Sequence, residues 1–260
     1  MNLRDFWNHV QAQGMGVTIR RIVDPYLEMA RVIHRLEGKT TLFRHVKGSA
    51  YPVIAGVCSA REYLAMGLGV PKERLLFALA EALRHPTPPP LASDGPCREV
   101  IEPDVDLMSL PILTHLPGDG GAYVTAGIAI IKDRDYGRNA SYHRLMRLDE
   151  RRFAVRVVEG RGTDTAFRKV SGDLEMAVCI GNSFPVLLAA AMSPQKGVDE
   201  LSIANALAPT PVVRCRTLDL EVPAEAEFIL EGRLIHTLVA EGPFLDLTGK
   251  YDIIRQQPVF

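Results

Sequence analysis

The 260-residue chain has the composition of an ordinary globular protein, with 47% apolar and 23% charged residues, which excludes an intrinsically disordered chain. Its formal net charge of -1 provides no overall field that would attract nucleic acid or anionic lipid. The longest apolar runs are too short to cross a bilayer, and the polar N-terminal segment has no apolar signal-peptide core. We therefore expect a cytoplasmic protein that does not insert into membranes.

The cysteines agree with this expectation. The four of them are widely separated and form no CxxC pair: Cys58, Cys97, Cys179 and Cys215. This spacing is typical of reduced thiols and does not favour a zinc site or a disulfide framework. We expect all four to pack as small apolar residues.

The N-terminal third of the chain predicts a mixed α/β structure. Helical periodicity marks residues 3–13, 24–36, 59–69 and 72–85, and alternation marks strands at 17–23, 40–46 and within 47–57. Asp24 and Ser59 are the expected N-caps of the second and third helices. The segment 86–97 (PTPPPLASDGPC) is rich in proline and cannot continue a helix or a central strand. We place a domain boundary there, between residues 1–97 and 98–260.

The second part of the chain changes character. Strands are predicted at 125–133, 152–158, 175–181, 211–223 and 227–235, and helices with acidic first turns at 163–170 and 198–207. Many strands with few helices favour a barrel-like β core with helical insertions. The fold class is therefore α+β.

The segment EGPFLDLTG is the first candidate for chemistry. Glu241 and Asp246 bracket a Gly-Pro-Phe turn with no cation between them. Carboxylates held close together push their pKa values apart, so that one retains a proton near neutral pH. A retained proton is what a general acid needs. We expect the pair to follow a rigid strand, which is a good support for catalytic groups.

The segment NASYHR (139–144) is the second candidate. In a strand, Asn139 and Arg144 point to opposite faces, so a bend is needed to bring them to one site. An arginine near two carboxylates would orient both of them and lower one pKa. The alternative is a surface arginine on a strand edge.

Two further segments are candidates for binding. In MSPQKGVDE, Asp199 and Glu200 offer the oxygen ligands that hard divalent cations prefer, with ordinary helix capping as the alternative. In GDGGAYVTAG (118–127), four glycines allow close approach of the backbone to a ligand, although the spacing is not that of a dinucleotide-binding loop. Of the seven histidines, His143 and His236 lie nearest to these segments.

Taken together and in order, these segments resemble the UbiD-type decarboxylases over about residues 17 to 251. The segments that carry the resemblance are VDPYLEMARVIHRLEG, FRHVKGSAYPVIAG, DLMSLPILTHLPGDGGAYVTAG, NASYHR, MSPQKGVDE, VPAEAEFILEG and EGPFLDLTG. The resemblance implies an N-terminal α/β domain followed by a split β-barrel core of the flavin-reductase type. It also implies prenylated FMN, a divalent metal (Mn²⁺ or Mg²⁺) and often K⁺ as cofactors.

The resemblance assigns roles to individual residues. Its catalytic arginine and two acids match Arg144, Glu241 and Asp246. Two of its three metal ligands match Asn139 and Glu200. The implied contacts with the cofactor come from a set that overlaps these residues: Asn139, Ser141, Tyr142, Arg144, Met192 and Glu200.

The chain departs from the family pattern at two points. Where members carry a metal-binding histidine, this chain reads GRGTD, with Gly162 at that position. A water, Asp164 or His143 are the groups that could replace it. The chain also ends at Phe260, whereas members usually continue into a C-terminal domain. We expect a short relative, a fragment or one subunit of a split enzyme.

Three functions are compatible with the sequence. The first is a reversible decarboxylase of an aromatic or α,β-unsaturated acid, supplied with cofactor by a flavin prenyltransferase and acting as a homo-oligomer or with a longer subunit. The second is a non-catalytic accessory subunit of a (de)carboxylase. The third is an FMN-binding split-barrel oxidoreductase, which leaves the arginine and the paired acids unexplained.

Overall fold

The computed structural model describes residues 1–246 and 248–260. Its N-terminal part contains α1 (Leu3–Ala12), β1 (Val17–Val23), α2 (Glu28–Arg35), β2 (Thr41–Val46), β3 (Val53–Ala55), α3 (Arg61–Leu68), a 3₁₀ turn (Lys72–Arg74) and α4 (Leu75–Arg84). The helices and strands predicted for this part are confirmed. Strand β2 pairs in parallel with β1 and antiparallel with β3.

Both predicted N-caps are wrong by one to three positions. Helix α2 begins after Leu27, and Asp24 instead accepts a hydrogen bond from the Tyr26 amide at 2.8 Å in the turn before it. Helix α3 has Ala60 as its N-cap residue, while the Ser59 hydroxyl donates to the Gly56 carbonyl at 2.8 Å. In both cases the short polar side chain closes a local turn instead of capping the helix, which is its competing use.

The second part is built on one large sheet. Its elements are β4 (Tyr123–Val124), β5 (Ile128–Asp133), β6 (Gly137–Tyr142), β7 (Leu145–Arg147), β8 (Phe153–Val155), α5 (Gly162–Phe167), β9 (Leu174–Ile180), α6 (Phe184–Ala190), α7 (Glu200–Leu207), β10 (Val212–Arg214), β11 (Glu221–Pro223), β12 (Phe228–Glu241), β13 (Phe244–Leu245), β14 (Tyr251–Asp252) and β15 (Arg255–Val259). Eight antiparallel strands form the sheet in the order β4-β7-β8-β15-β12-β9-β5-β6. The α+β class is confirmed.

Strand β12 joins the two halves of this sheet. Its first half pairs with β9, from Phe228 to Leu234. Its second half pairs with β15 and ends at Glu241, which lies opposite Arg255. The register shifts between Ile235 and Leu238. The strand predicted at 227–235 therefore continues by six residues, and the candidate acid Glu241 is its last residue.

Both faces of the central strands are buried. On one face, Ile128 and Ile130 pack in a cluster with residues of α6 and α7. On the other face, Ala129 and Ile131 pack in a cluster that includes Phe167 of α5. Burial on both faces explains why these strands are continuously apolar instead of alternating.

The N-terminal helices pack on the same core. Phe6 of α1 and Tyr63 of α3 form a cluster with Phe184 at the start of α6. A side-chain carbon on Gly67 would lie 2.1 Å from the Phe184 ring, so α3 requires glycine there. The proline-rich segment runs beside β10, where Val212 exchanges backbone hydrogen bonds with Pro90 and Ala92. The domain boundary at residue 97 stays a prediction.

The cysteines are all free thiols. Cys179 and Cys215 are buried in the core, as expected for small apolar residues. Cys58 is exposed, so this expectation is wrong for it. Among the described residues, no helix is long and apolar enough to cross a membrane.

Candidate active site

Arg144 and Glu241 form a buried ion pair at the end of β12, an interior strand of the large sheet. The Arg144 Nε donates to Glu241 Oε1 at 2.8 Å, and Nη2 donates to Oε2 at 2.9 Å. The Glu241 side chain is fully buried and that of Arg144 is 14% exposed. Burial opposes the charge on Arg144, but the contact with Glu241 raises its pKa above the ordinary value. The alternative interpretation of Arg144 as a surface residue is wrong.

The bend required to place Arg144 is present. Strand β6 ends at Tyr142 and β7 begins at Leu145, so His143 and Arg144 lie between the two strands. His143 is buried, whereas Arg144 points toward the end of β12. The segment NASYHR therefore contributes residues to two different positions. Asn139 lies on β6, and Arg144 lies in the bend after it.

Tyr123 and Asp252, which the sequence interpretation missed, complete the surroundings of the pair. The buried Tyr123 hydroxyl donates to Glu241 Oε1 at 3.1 Å. Burial, with the nearby Glu241 carboxylate, raises the Tyr123 pKa, so the phenol remains a donor. Asp252 Oδ2 accepts from Arg144 Nη2 at 3.0 Å. Arg144 is thus held by two carboxylates, and it also lies over the Phe244 ring, 5.1 Å from its centroid.

Asp252 also contacts two further arginines. Arg255 Nη2 donates to its Oδ1 at 3.2 Å, and Arg156 Nε lies 3.8 Å from its Oδ2. Burial opposes ionisation of Asp252, but its hydrogen bonds with Arg144 and Arg255 outweigh this and lower its pKa below the ordinary value. Asp252 therefore remains charged and ties the β13–β14 hairpin to Arg144.

The glycine-rich segment supports this hairpin. The Gly120 amide donates to the Pro243 carbonyl at 2.7 Å, and a side-chain carbon on Gly120 would lie 2.1 Å from the Gly242 oxygen. A side-chain carbon on Gly118 would lie 2.6 Å from the Tyr251 hydroxyl oxygen. The backbone of these glycines therefore lies close to the hairpin. The two strands of the hairpin lie before and after the candidate acid Asp246 in the chain.

Asp246 lies at the exposed end of the hairpin. Its amide donates to the Lys250 carbonyl and its carbonyl accepts from the Gly249 amide, both at 2.9 Å. Leu247, within the same motif, lies outside the described residues. The expected splitting of the Glu241 and Asp246 pKa values stays a prediction. The sequence shows no cation between the two acids, but Arg144 pairs with Glu241 from the bend after β6.

Asn139 and Glu200 come together on the other side of the bend. The Asn139 amide donates to Glu200 Oε1 at 3.0 Å, and the Ala140 amide donates to Oε2 at 2.8 Å. Glu200 is buried, and burial raises its pKa to about 7 against the opposing effect of these hydrogen bonds. Asp199 instead caps α7 by accepting from the Leu201 amide. Capping is therefore the structural use of Asp199, whereas Glu200 points to Asn139.

Gly162 lies beside Asn139, where the resemblance places a histidine. A side-chain carbon on Gly162 would be 3.2 Å from Asn139 Oδ1. Asp164 accepts from the Gly160 amide and from Arg168, so it serves the local turn and helix. Among the described residues, no group of three or more His, Cys, Asp or Glu residues could hold a metal ion.

The two histidines are engaged elsewhere. His143 Nδ1 donates to the Arg156 carbonyl at 2.9 Å, which leaves Nε2 to accept from Thr163 Oγ1 at 2.9 Å. Burial lowers the His143 pKa, in keeping with this neutral form. His236 stacks on Phe167 at 4.2 Å, away from the pair. The residues present therefore do not fit the three-ligand metal centre that the resemblance implies.

The remaining predicted contact residues lie near Asn139 or on neighbouring helices. The Ser141 hydroxyl is 3.4 Å from Asn139 Oδ1 and 3.3 Å from His143 Nε2. The Tyr142 hydroxyl donates to the Leu187 carbonyl of α6 at 3.0 Å, and Met192 follows that helix, partly buried against the core. Their roles in cofactor binding stay predictions.

The β-sheet with its buried arginine–carboxylate pair defines a candidate acid–base site. Two family models match the chain: the 3-octaprenyl-4-hydroxybenzoate carboxy-lyase N-terminal domain over residues 8–83 and the Rift-related domain of the same enzymes over residues 91–260. The chain therefore belongs to the UbiD family.

The curated relatives are decarboxylases, in agreement with this family. Anhydromevalonate phosphate decarboxylase of Methanothermobacter thermautotrophicus is 36% identical over 99% of this chain and 61% of its own length. The enzyme of the same name from Methanosarcina mazei is 37% identical over 100% of this chain and 61% of its own length. This chain thus spans about three fifths of the length of these curated relatives.

Solved structures share the whole fold. The UbiD-class enzyme HmfF from Pelotomaculum thermopropionicum, an evolved dimeric form in complex with prFMN, superimposes with a TM-score of 0.95 at 38% identity and covers 99% of this chain and 63% of its own. HmfF in complex with FMN gives 0.95 at 39% identity, over 100% of this chain and 61% of its own. Vanillic acid decarboxylase of Sedimentibacter hydroxybenzoicus gives 0.91 at 26% identity, over 99% and 60%.

Proposed function

We propose that the chain provides the flavin-binding and acid–base part of a UbiD-type carboxy-lyase, which reversibly decarboxylates an aromatic or α,β-unsaturated acid with prenylated FMN. The buried Arg144–Glu241 pair carries this proposal. It lies beside the hairpin that bears Asp246, in a chain whose named relatives are decarboxylases.

The cofactor part of the proposal is supported by the HmfF structures, which contain prFMN or FMN. A cavity of about 50 Å³ opens beside Asn139 and is lined largely by glycine and polar residues, which suits the phosphate end of a flavin. Asn139, Ser141, Tyr142, Arg144, Met192 and Glu200 are the residues that would hold the cofactor. When bound, prenylated FMN supplies the electron sink that allows the bond to the carboxyl group to break.

The chain's own residues then handle the proton. The carboxyl group leaves as CO₂, and the protonated Asp246 gives its proton to the substrate carbon that carried it. The Asp246 carboxylate regains a proton from water. Arg144 provides a fixed positive charge at this place. Glu241 holds it in one orientation, and the Tyr123 hydroxyl in turn donates to Glu241.

Two finer features that the resemblance implies are the split β-barrel and the metal ions. The divided pairing of β12 with β9 and β15 supports a split β-barrel of the flavin-reductase type. Mn²⁺ or Mg²⁺ and K⁺, which the resemblance implies, are not part of the proposed mechanism, because only Asn139 and Glu200 of the implied ligands are present beside Gly162.

The proposed setting is a cytoplasmic enzyme supplied with cofactor by a flavin prenyltransferase. The four free thiols support a reducing compartment. The dimeric form of HmfF supports assembly into a homo-oligomer or with a longer subunit.

Co-expression with a flavin prenyltransferase tests the proposal. We expect purified protein with the absorption of a bound flavin, and release of CO₂ from an acid of the proposed class. The first acids to try are anhydromevalonate phosphate and vanillic acid, the compounds in the names of relatives. Protein that stays colourless and releases no CO₂ from such acids would contradict the assignment.

An accessory subunit is the second candidate function. Gly162 favours it, since glycine offers no side-chain ligand where the family pattern has histidine. Under this function the chain would copurify with a longer subunit, and activity would require the arginine–carboxylate pair of that subunit and not Arg144. Substituting Arg144 in the reconstituted complex separates the two candidates.

A further inference from the structure

The cavity beside Asn139 has an unusual wall. Three glycines line it, Gly137, Gly162 and Gly197, and the first and last have positive φ angles of 81° and 88°. The other lining residues are Asp133, Tyr136, Arg138, Asn139, Thr165, Lys196 and Val198. With a volume of about 50 Å³, the cavity holds about four water-sized groups, which is the size of a tetrahedral phosphate.

Most charges that line the cavity are already neutralised within the fold. Both Asp133 oxygens accept from Lys169 Nζ at 2.9 Å. Arg138 donates to Asp199 at 2.6 and 3.1 Å and to Glu221 at 2.7 Å. None of these groups is free to neutralise a ligand.

Lys196 is different. Within residues 1–246 and 248–260 it forms no ion pair or hydrogen bond, and its Nζ lies 5.8 Å from the centre of the Tyr136 ring. The cavity therefore carries one positive charge that no described carboxylate compensates, on a side chain that lines it. An ammonium group of this kind is a common partner of phosphate.

Gly162, which also lines the cavity beside Asn139, offers no side-chain ligand for a divalent metal. Asn139 donates a hydrogen bond to Glu200, and His143 Nε2 accepts one from the Thr163 hydroxyl. Among the described residues, no group of three His, Cys, Asp or Glu side chains could hold a metal ion. Positive charge for a phosphate in this cavity must therefore come from the protein.

We propose that this cavity binds the phosphate group of an FMN-type cofactor through the Lys196 ammonium, without a divalent metal ion. The inference rests on the proposed function, because it takes a flavin as the ligand. It goes beyond that function by replacing the implied metal centre with a lysine of this chain.

FMN and riboflavin titrations of the purified chain test the inference, since the two ligands differ in the phosphate. We expect the same FMN affinity in EDTA and in Mn²⁺. We expect Lys196→Ala to weaken FMN binding by about tenfold or more, the usual effect of one charge-assisted contact, and to leave riboflavin binding unchanged. The matched control is Lys132→Ala, since Lys132 is exposed and paired with Asp219.

A gain-of-function variant gives an independent measurement. The side-chain carbon at position 162 would lie 3.2 Å from Asn139 Oδ1, so Gly162→His would add an imidazole beside two oxygen ligands. We expect this variant to bind Mn²⁺, detected by electron paramagnetic resonance, whereas the wild-type chain does not.

Each alternative result has a distinct meaning. FMN binding by the wild type that is lost in EDTA and restored by Mn²⁺, or Lys196→Ala that binds FMN like the wild type, would overturn the inference and leave the proposed function standing. Failure of both FMN and riboflavin to bind under every condition would overturn the inference together with the flavin dependence of the proposed function.

Discussion

Glu241 and Asp252 hold the same nitrogen of one arginine. Arg144 Nη2 donates to Glu241 Oε2 at 2.9 Å and to Asp252 Oδ2 at 3.0 Å. The first carboxylate ends β12, and the second belongs to the hairpin that carries Asp246. The shared arginine therefore fixes the hairpin to the end of β12.

Asp252→Asn tests this connection. Loss of the charge weakens the hold on Arg144, so we expect kcat to fall by about 10- to 100-fold, as for a misplaced catalytic group, while flavin affinity is unchanged. Steady-state kinetics with a separate flavin titration measures the two effects. Asp219→Asn, at an exposed ion pair, is the control. A variant with unchanged kcat would show that Asp252 does not position the site.

Glu241→Gln tests the buried pair itself. The substitution removes the charge of one of the two carboxylates that hold the Arg144 guanidinium and leaves Asp252 as its only charged partner among the described residues. We therefore expect the free energy of unfolding to fall by about 1–3 kcal/mol and turnover to be lost. Urea denaturation gives the first value. The control is Glu227→Gln, whose partner Arg4 is 81% exposed and for which we expect little change. Equal losses in both variants would contradict the importance of burial.

Asp246→Asn separates proton delivery from cofactor binding. Asp246 is exposed, so its substitution should not affect the core. We expect turnover to fall by about 100-fold or more, the usual contribution of a general acid, with the flavin still bound. Absorption of the purified variant and CO₂ release report the two properties, with the exposed Asp173→Asn as control. Full activity in Asp246→Asn would contradict its role as proton donor.

The sequence indicates those parts of the candidate site whose signal is local. NASYHR and EGPFLDLTG each contain a pattern of polar residues that stands out within a few positions, which is why Arg144 and Glu241 were identified. Tyr123 and Asp252 meet the pair across 118 and 108 positions. No local pattern reports contacts at such a separation, since they are fixed by the pairing of the strands.

The same physical limit applies to the fold. The sequence does not predict the extension of β12 to Glu241, because several of its final residues are exposed and give no apolar alternation. This part of the strand is stabilised by its pairing with β15. Helix α6 gave no helical period, since six of its seven residues are buried and a helix buried all round has no polar face. The strand predicted over 211–223 is instead the hairpin of β10 and β11.

Gly120→Ala tests the support of the hairpin by the glycine-rich segment. The added carbon would lie 2.1 Å from the Gly242 oxygen. Because the contacted atoms belong to the backbone and cannot rotate away, the hairpin must shift. We expect a loss of about 1–3 kcal/mol in the free energy of unfolding, as for other overpacked sites. Gly172→Ala is the matched control, because a carbon there meets nothing within 4 Å. Equal stability of both variants would contradict the close contact.

His115 makes the stability of this region dependent on pH. Its ring lies against Phe244 of the hairpin with 6.4 Å between centroids, and its buried Nδ1 has no hydrogen-bond partner among the described residues. Burial lowers the His115 pKa below its ordinary value of 6.5. The unfolded chain therefore takes up the proton first as the pH falls. The contribution of neutral His115 to the free energy of unfolding is thus fully present above pH 6.5 and declines below it.

We expect the wild type to lose more stability than His115→Asn between about pH 7.5 and about pH 5.5, measured by urea denaturation at both values. His45→Gln, at an exposed strand position, should follow the wild type, and parallel behaviour of His115→Asn and the wild type would show that His115 charges as readily in the folded protein as in the unfolded chain.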